Sequence, residues 1–500
     1  MGLVFRQSAI TTIISYCGVA IGYINLLYLY PKFLSPDQIG LMRTIQDAAI
    51  LFTPFAQFGL AQSILRFYPR MVTSQEASGS FIRLMLLLAL IGFGVFFLGF
   101  KIFENSILGY FEANAQEIIG YSTLVLWLTL ILLITAILEA YSRSLLQTIV
   151  PNLLREIVAR LLLAILVTSY FLGYISFNQF IVSTALAYLL CLAILAVYLA
   201  SQGQLKLSAS TQNLDRSELP GLLKYSLLSF AGMAGLIIIG KVDSIMVSGL
   251  LGLSANAIYT TAFYMATVIE IPKRALTQIA MPLISRAFEK NDMEDIRSIY
   301  QKTSINQFIV GGLILIGIWA NLHNLFALMP NGEIYKTGQW VVIIIGLGKL
   351  VDMLFGPNSE IIVLSKYYSF NIFLILILAF TIVAANNLLI PTYGINGAAI
   401  GSAIALVLFN ALKYAFVVLK LNMQPFNRAT LYVLIIGAAT AWISTWIPRL
   451  GNVFIDIIVR SAVITIIYAT LVVLTKASPD GNKVFQRALV FVGYKFKSDK

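Results

Sequence analysis

The stretch that decides the fold is GLSANAIYTTAFYMATVIEIPKR, residues 252–274. A short Gly-Leu-Ser break leads into a long apolar run, which then closes on Glu270, Lys273 and Arg274 around Pro272. About 20 apolar residues are what a helix needs to cross a bilayer. Each charge near the centre of such a helix costs about 2.5–3.5 kcal/mol if it faces lipid. A second stretch, FLSPDQIGLMRTIQDAAILFTPF at 33–55, has the same plan. It has Leu-Ser, an Ile four residues after the Ser, and an apolar run with Pro54 where the other has Pro272. Both runs end near an arginine followed closely by Phe, at 66–67 and 286–288.

Moving outward, the rest of the chain has the same character. It is 59% hydrophobic and 11% charged, whereas soluble domains carry about 25% charged residues. Apolar runs bounded by polar, Pro or Gly punctuation predict an all-α polytopic membrane protein of about fourteen spans. Their expected ranges are 8–34, 41–64, 81–103, 118–142, 153–174 and 178–200. Then come 222–249, 255–282, 303–328, 338–364, 367–390 and 396–419, and a last pair at 430–447 and 453–474. The first run is too long for a signal-peptide core and is expected to stay as an uncleaved span.

Sorted by side of the membrane, 24 of the basic residues fall on the side of the N-terminus and 5 on the other, the remainder lying inside spans. Lys413 and Arg460 are counted here with loops, on the inner and outer side respectively. The asymmetry predicts that both termini are cytoplasmic. The net charge of +12 is therefore mostly topology, spread over short loops, and a nucleic-acid partner is not expected. Cys17 and Cys191 lie in apolar runs and are expected to be reduced and structural. His323 is the only histidine, which leaves little material for a metal centre or a His-based catalytic pair; no metal and no cofactor is expected. The segment SRAFEKNDMEDIRSIYQK, 285–302, reads as a short amphipathic helix on the membrane surface.

The two matching stretches open spans two and eight. An offset of six spans preserves orientation, so the halves are expected to be parallel repeats with a substrate site between them near the midplane. The expected division is a six-helix lobe at 1–205, a second at 206–422, an extra helix pair at 423–475 and a basic cytoplasmic tail at 476–500. Pro54, Pro272 and Pro357 are expected to bend spans rather than end them.

The stretches YLYPKFLSPDQIGLMRTIQDAAILFTPFAQFGLAQSILRFYP at 28–69 and KVDSIMVSGLLGLSANAIYTTAFYMATVIEIPKRALTQIAMPLISRAF at 241–288 resemble the polysaccharide-biosynthesis family of membrane transporters. YGINGAAIGSAIA at 393–405 is similar to the start of span twelve in the same superfamily, the multidrug, oligosaccharidyl-lipid and polysaccharide exporters. The resemblance implies two lobes forming a V, with helices one, two, seven and eight lining a cavity. It also implies a cargo, an oligosaccharide on a polyprenyl diphosphate, flipped to the periplasmic leaflet of the inner membrane for lipopolysaccharide (O-antigen), capsule or exopolysaccharide assembly. Membrane lipids, a polysaccharide polymerase and glycosyltransferases are the partners it suggests. One departure stands out: residues 8–34 hold no Asp or Glu, where multidrug members usually keep an acid.

Ten ionisable residues are counted as intramembrane, other charges within the ranges being assigned to loops or span ends: Arg43, Asp47, Lys241, Asp243, Glu270, Lys273, Arg274, Lys349, Asp352 and Glu360. They must pair or line a wet cavity. Local pairs are available at Arg43–Asp47, Glu270–Arg274 and Lys349–Asp352. Lys241 and Asp243, two apart, point to different faces and cannot close locally. Seven of the ten lie on spans two, seven and eight, which the resemblance places at the cavity. Arg43, Lys241, Lys273 and Arg274 are therefore the expected substrate-binding cations for a diphosphate, with Glu270 restraining Arg274. Asp47, Asp243 and Glu270 are expected to serve ion pairing or coupling. Two other functions compete: a cation-coupled multidrug exporter of the same fold, and a membrane glycosyltransferase or polymerase of the same pathway. The outer loops lack the paired acids such an enzyme needs.

Overall fold

A computed structural model describes residues 2–72, 75–205 and 216–478. All regular structure in the described residues is helical. The chain divides into two compact units, residues 1–259 and 260–500. The tail expected to be cytoplasmic and the loop around Gln212 fall mostly outside the described residues.

In the first unit, α1 (Gly2–Ile24) runs through a π-helical turn, Asn25–Leu29, into α2 (Tyr30–Phe33). Then follow α3 (Pro36–Gln57), α4 (Leu60–Met71), α5 (Gln75–Gly109), α6 (Ser122–Ser144), α7 (Ile149–Leu153), α8 (Ala159–Phe171), α9 (Phe177–Ser201) and α10 (Leu219–Leu251). Helix α3 starts where the sequence Ser-Pro-Asp-Gln makes a capping box, with Ser35 and Gln38 each satisfying the other's backbone N–H. It lies against α10, α6 and α5. Phe58 and Gly59 both take left-handed backbone angles, and the chain turns by 44° between α3 and α4. The expected bend is thus present, but it sits four residues after Pro54, where glycine tolerates positive φ. Gly40 permits a close approach, since a Cβ there would lie 1.9 Å from the carbonyl oxygen of Leu253. Gly40→Leu is expected to cost about 1–3 kcal/mol by overpacking. Thermal unfolding in detergent checks this; an unchanged melting temperature would contradict it.

The helix α11 (Leu253–Thr267) crosses the division between the units. A 3-10 turn, Val268–Glu270, interrupts it before α12 (Ile271–Glu289). Pro272 occupies the first turn of α12, where its missing N–H leaves no bond unmade. Next come α13 (Met293–Leu328), α14 (Gly332–Tyr335), α15 (Gln339–Leu354), α16 (Asn358–Leu364), α17 (Tyr368–Tyr393), α18 (Ile395–Leu421), α19 (Arg428–Ser444) and α20 (Val453–Leu474). Gly356, at φ +60, and Pro357 separate α15 from α16, so the span expected at 338–364 is broken there. Helix α13 is the hub of this unit, packing on α12, α15, α19 and α20.

One expectation changes, the surface helix over 285–302. Ten described helices are long and apolar enough to cross a membrane, eleven if α3 and α4 count as one span; the other expected spans are divided or shorter helices. Irregular turns divide some of these, as at Leu154–Val158 and Val268–Glu270, and α19 has seventeen residues. The compact units part at 259–260, with α10 packed on α3 and α4 in the first. The last helix pair belongs to the second unit through α13. The surface helix expected over 285–302 is instead the end of α12 and the first turns of the 36-residue α13. Asp292 caps α13 by accepting from the Asp295 N–H, so the apolar run and its polar lead-in form one helix.

Candidate functional site

The first unit holds a polar cluster between α3 and α10. Lys241 Nζ donates to Asp47 Oδ1 at 2.6 Å, and Asp47 is buried. Two residues on, Asp243 is also buried and accepts from the Tyr259 hydroxyl at 2.7 Å. The i,i+2 spacing sends the two charges of α10 to different partners. One turn from Asp47, Thr44 shares hydrogen bonds with Ser248 and with Asn256 Nδ2. Arg43 is half-buried, its guanidinium 5.6 Å from the Tyr30 ring centroid. Cation–π contact suits a planar guanidinium.

The second unit holds a larger cluster on α12, α15, α16 and α18. Lys273 and the buried Asp352 form an ion pair. Asp352 also accepts from Asn410 Nδ2 at 3.0 Å, and Asn410 accepts in turn from Asn358. Lys349 Nζ donates to Glu270 Oε1 at 2.7 Å and lies 5.8 Å from the Phe263 ring. Lys413 is 1% exposed; it donates to Ser359 Oγ at 2.9 Å and sits 3.9 Å from the Phe409 ring. Arg274 is exposed, and no described carboxylate lies within ion-pair distance of it.

Among the described residues, the carboxylates of the three local pairs expected from spacing each take a lysine from another helix. Asp47 pairs with Lys241 on α10, Glu270 with Lys349 rather than Arg274, and Asp352 with Lys273 rather than Lys349. The reason is clearest at Glu270. The 3-10 turn ends on that residue and α12 begins after it, so Glu270 and Arg274 are not one regular turn apart on one helix. The expected restraint of Arg274 by Glu270 is replaced by Lys349. Elsewhere a neighbouring helix brings a cation closer than the local one.

Three buried polar positions were not expected. Lys413 lies inside α18, not in a cytoplasmic loop. Arg460 lies inside α20, not in an outer loop, and pairs with Asp456 at 3.2 Å. Glu139 on α6 pairs with Arg155 at 2.9 Å. The i,i+4 spacing of Asp456 and Arg460 within an apolar run was the visible signal. Lys413 was detectable only from its place inside such a run.

A chain of long apolar helices that keeps ionisable groups inside its spans and pairs them there is, by class, a multi-pass helical membrane protein. The family described as polysaccharide biosynthesis protein matches residues 4–288, and the chain belongs to that family. It is 22% identical over 433 residues, 82% of this chain and 83% of the other, to an uncharacterized membrane protein of Methanocaldococcus jannaschii. Among solved structures it is similar to the lipid II flippase MurJ in an inward closed conformation, with a TM-score of 0.74 at 13% identity over 96% of this chain and 99% of that one. It is also similar to an inward-facing multidrug resistance transporter of the MATE family in the MOP superfamily, with a TM-score of 0.60 at 13% identity over 84% of this chain and 98% of that one. The fold is that of these two solved structures.

Proposed function

We propose that the protein turns a polyprenyl-diphosphate-linked oligosaccharide from the cytoplasmic to the periplasmic leaflet of the inner membrane. The product would feed assembly of a surface polysaccharide such as O-antigen, capsule or exopolysaccharide, and the step would proceed by alternating access. Family membership supports the pathway. The observation that carries the chemistry is Arg274. Lys241, Lys273 and Lys349 are each neutralised by a carboxylate, whereas Arg274 is exposed and has no described acid beside it. A permanently charged guanidinium within a span cannot rest in hydrocarbon; it must meet water or an anion. Its planar fork suits the oxygens of a diphosphate. Arg43 is the corresponding candidate in the first unit, while Asp47, Asp243 and Glu270 act through the ion pairs and hydrogen bonds already described. Asp47 and Glu270, each holding a lysine, are the candidates for coupling.

Reconstitution tests the reading. Proteoliposomes loaded with lipid-linked oligosaccharide from the same strain should expose it to an impermeant glycosidase faster than protein-free vesicles. Equal rates would overturn the proposal. The multidrug alternative shares the fold but lacks a carboxylate in residues 8–34; gradient-driven dye efflux without oligosaccharide movement would favour it.

Orientation is checked separately. In a background without Cys17 and Cys191, Asn331→Cys should react with an impermeant thiol reagent in intact cells and Gln212→Cys should not. Labelling of Gln212→Cys in intact cells would reverse the proposed topology.

A further inference from the structure

The second unit holds two opposite charges, close together, that do not meet. Lys413 on α18 is 1% exposed, and its ammonium rests on the neutral Ser359 hydroxyl at 2.9 Å and the Phe409 ring at 3.9 Å. Glu360 follows Ser359 on α16 and is half-buried. Among the described residues it has neither a hydrogen bond nor an ion pair. Its field nevertheless reaches Lys413 and Lys273. Asp352, on α15, and Lys273, on α12, also act on Lys413, but these two hold each other. A buried ammonium on a neutral hydroxyl is costly, and a carboxylate is the partner that offsets the cost. That carboxylate is one residue away from the hydroxyl.

The backbone beside them permits an exchange. Helix α15 ends at Leu354, whose carbonyl accepts from the Ser304 hydroxyl of α13. Gly356 then takes φ +60, and a Cβ there would lie 2.9 Å from the Ser304 Cβ, so the position suits glycine. Pro357 offers no N–H to bridge the break. Helix α16 has seven residues and two sides. On one, Ile361 and Ile362 are 0% exposed in an apolar cluster with Ile284, Ile296 and Tyr300. On the other, Asn358 Nδ2 donates to Asn410 at 3.3 Å and Lys413 holds Ser359. The apolar side is the pivot; the polar side can change partners. Consecutive residues stand about 100° apart around a helix. The flexible four-carbon stem of a lysine covers such a change with little backbone movement.

We propose that Lys413 is a two-position residue. It is bonded to Ser359 in the arrangement described here and to Glu360 in a second one, reached as α16 tilts at the Gly356–Pro357 break. Arrangements that differ by one partner lie close in free energy, as alternating states must. Lys413 and Glu360 are positioning residues: they set the angle of α16. As a step in transport the exchange rests on the alternating-access reading above; as a motion of α16 it stands without cargo.

The motion is measured first, on full-length protein in detergent without cargo. In a background lacking Cys17 and Cys191, spin labels are attached through Leu347→Cys on α15 and Val363→Cys on α16, both exposed positions. Double electron–electron resonance should show two distances across the break. Adding Glu360→Gln should deplete one of them about tenfold, the weight of one charged hydrogen bond. The melting temperature should not move, because the carboxylate has no bond to lose in the arrangement described. A single distance, a pair of distances indifferent to Glu360→Gln, or a lowered melting temperature would overturn the proposal.

Transport is measured second, by glycosidase exposure in proteoliposomes. Glu360→Gln should lower the maximal rate about tenfold and leave the half-saturating cargo concentration unchanged. Exchanging the charges, Glu360→Lys with Lys413→Glu, should recover the rate where neither single change does. Two distances with a full rate in Glu360→Gln would overturn the exchange as a step in transport. Two distances in a protein that moves no lipid-linked oligosaccharide would overturn the cargo and support the switch.

Discussion

Replacing Lys273 by alanine is expected to destabilise the protein by about 3–5 kcal/mol, because a carboxylate stays behind in a low-dielectric interior without its cation. Asp352 is 7% exposed, and Lys273 and Asn410 hold its carboxylate. Asn410 supplies one neutral N–H and is itself tied to Asn358. It cannot replace a full charge. The reverse change, Asp352→Asn, should be milder. The Lys273 side chain is 20% exposed, and its long stem lets the ammonium turn towards water once the acid has gone. The double change Lys273→Met, Asp352→Asn removes both charges together and should recover most of the loss, as neutral replacements of buried pairs often do. Expression level and thermal unfolding in detergent measure all three variants. A Lys273→Ala protein that melts with the unaltered one, or a double variant worse than either single, would show that the pair does not hold α12 to α15.

What the sequence revealed and concealed has a consistent physical pattern. The apolar character of the helices and the matched openings at Leu34-Ser35 and Leu253-Ser254 were legible because each is a local property of a few residues; that the chain breaks near Pro272 and Pro357, rather than bending as expected, was not. Nor were the ion pairs. Spacing along one helix offered Arg43–Asp47, Glu270–Arg274 and Lys349–Asp352, but that reasoning assumes an unbroken helix and no better partner nearby. Neither condition holds at Glu270, where a 3-10 turn intervenes and Lys349 reaches across from α15. Lys413 was placed outside the membrane because charge was weighed against topology; the fold buries it in α18 beside Ser359 and Phe409. The division at 259–260 likewise depends on the packing of α10 on α3, which no run of residues announces. The candidate cations could be named from sequence, but which of them are spent on acids could not.

That difference decides the largest functional effect. Arg274→Ala is expected to reduce transport by about 10- to 150-fold, the factor that corresponds to losing charged hydrogen bonds of about 1.5–3 kcal/mol. Surface polysaccharide should fall accordingly while the protein remains in the membrane at its usual level. The level should hold because Arg274 leaves no carboxylate stranded: Glu270 keeps Lys349 at 2.7 Å and Asp352 keeps Lys273. Arg274→Lys should restore only part of the transport, since a point charge cannot reproduce a two-pronged contact with phosphate. Glu270→Gln should behave differently. It leaves Lys349 without its acid, so its first effect should be on stability, and Glu270→Gln combined with Lys349→Gln should correct that effect. If the corrected double variant is stable yet still inactive, the carboxylate does more than hold a lysine, and coupling is the role left to it. An Arg274→Ala protein that transports at the unaltered rate would remove the cation from the cargo site. One that disappears from the membrane would make Arg274 a structural residue, because loss of cargo binding alone gives the protein no reason to unfold.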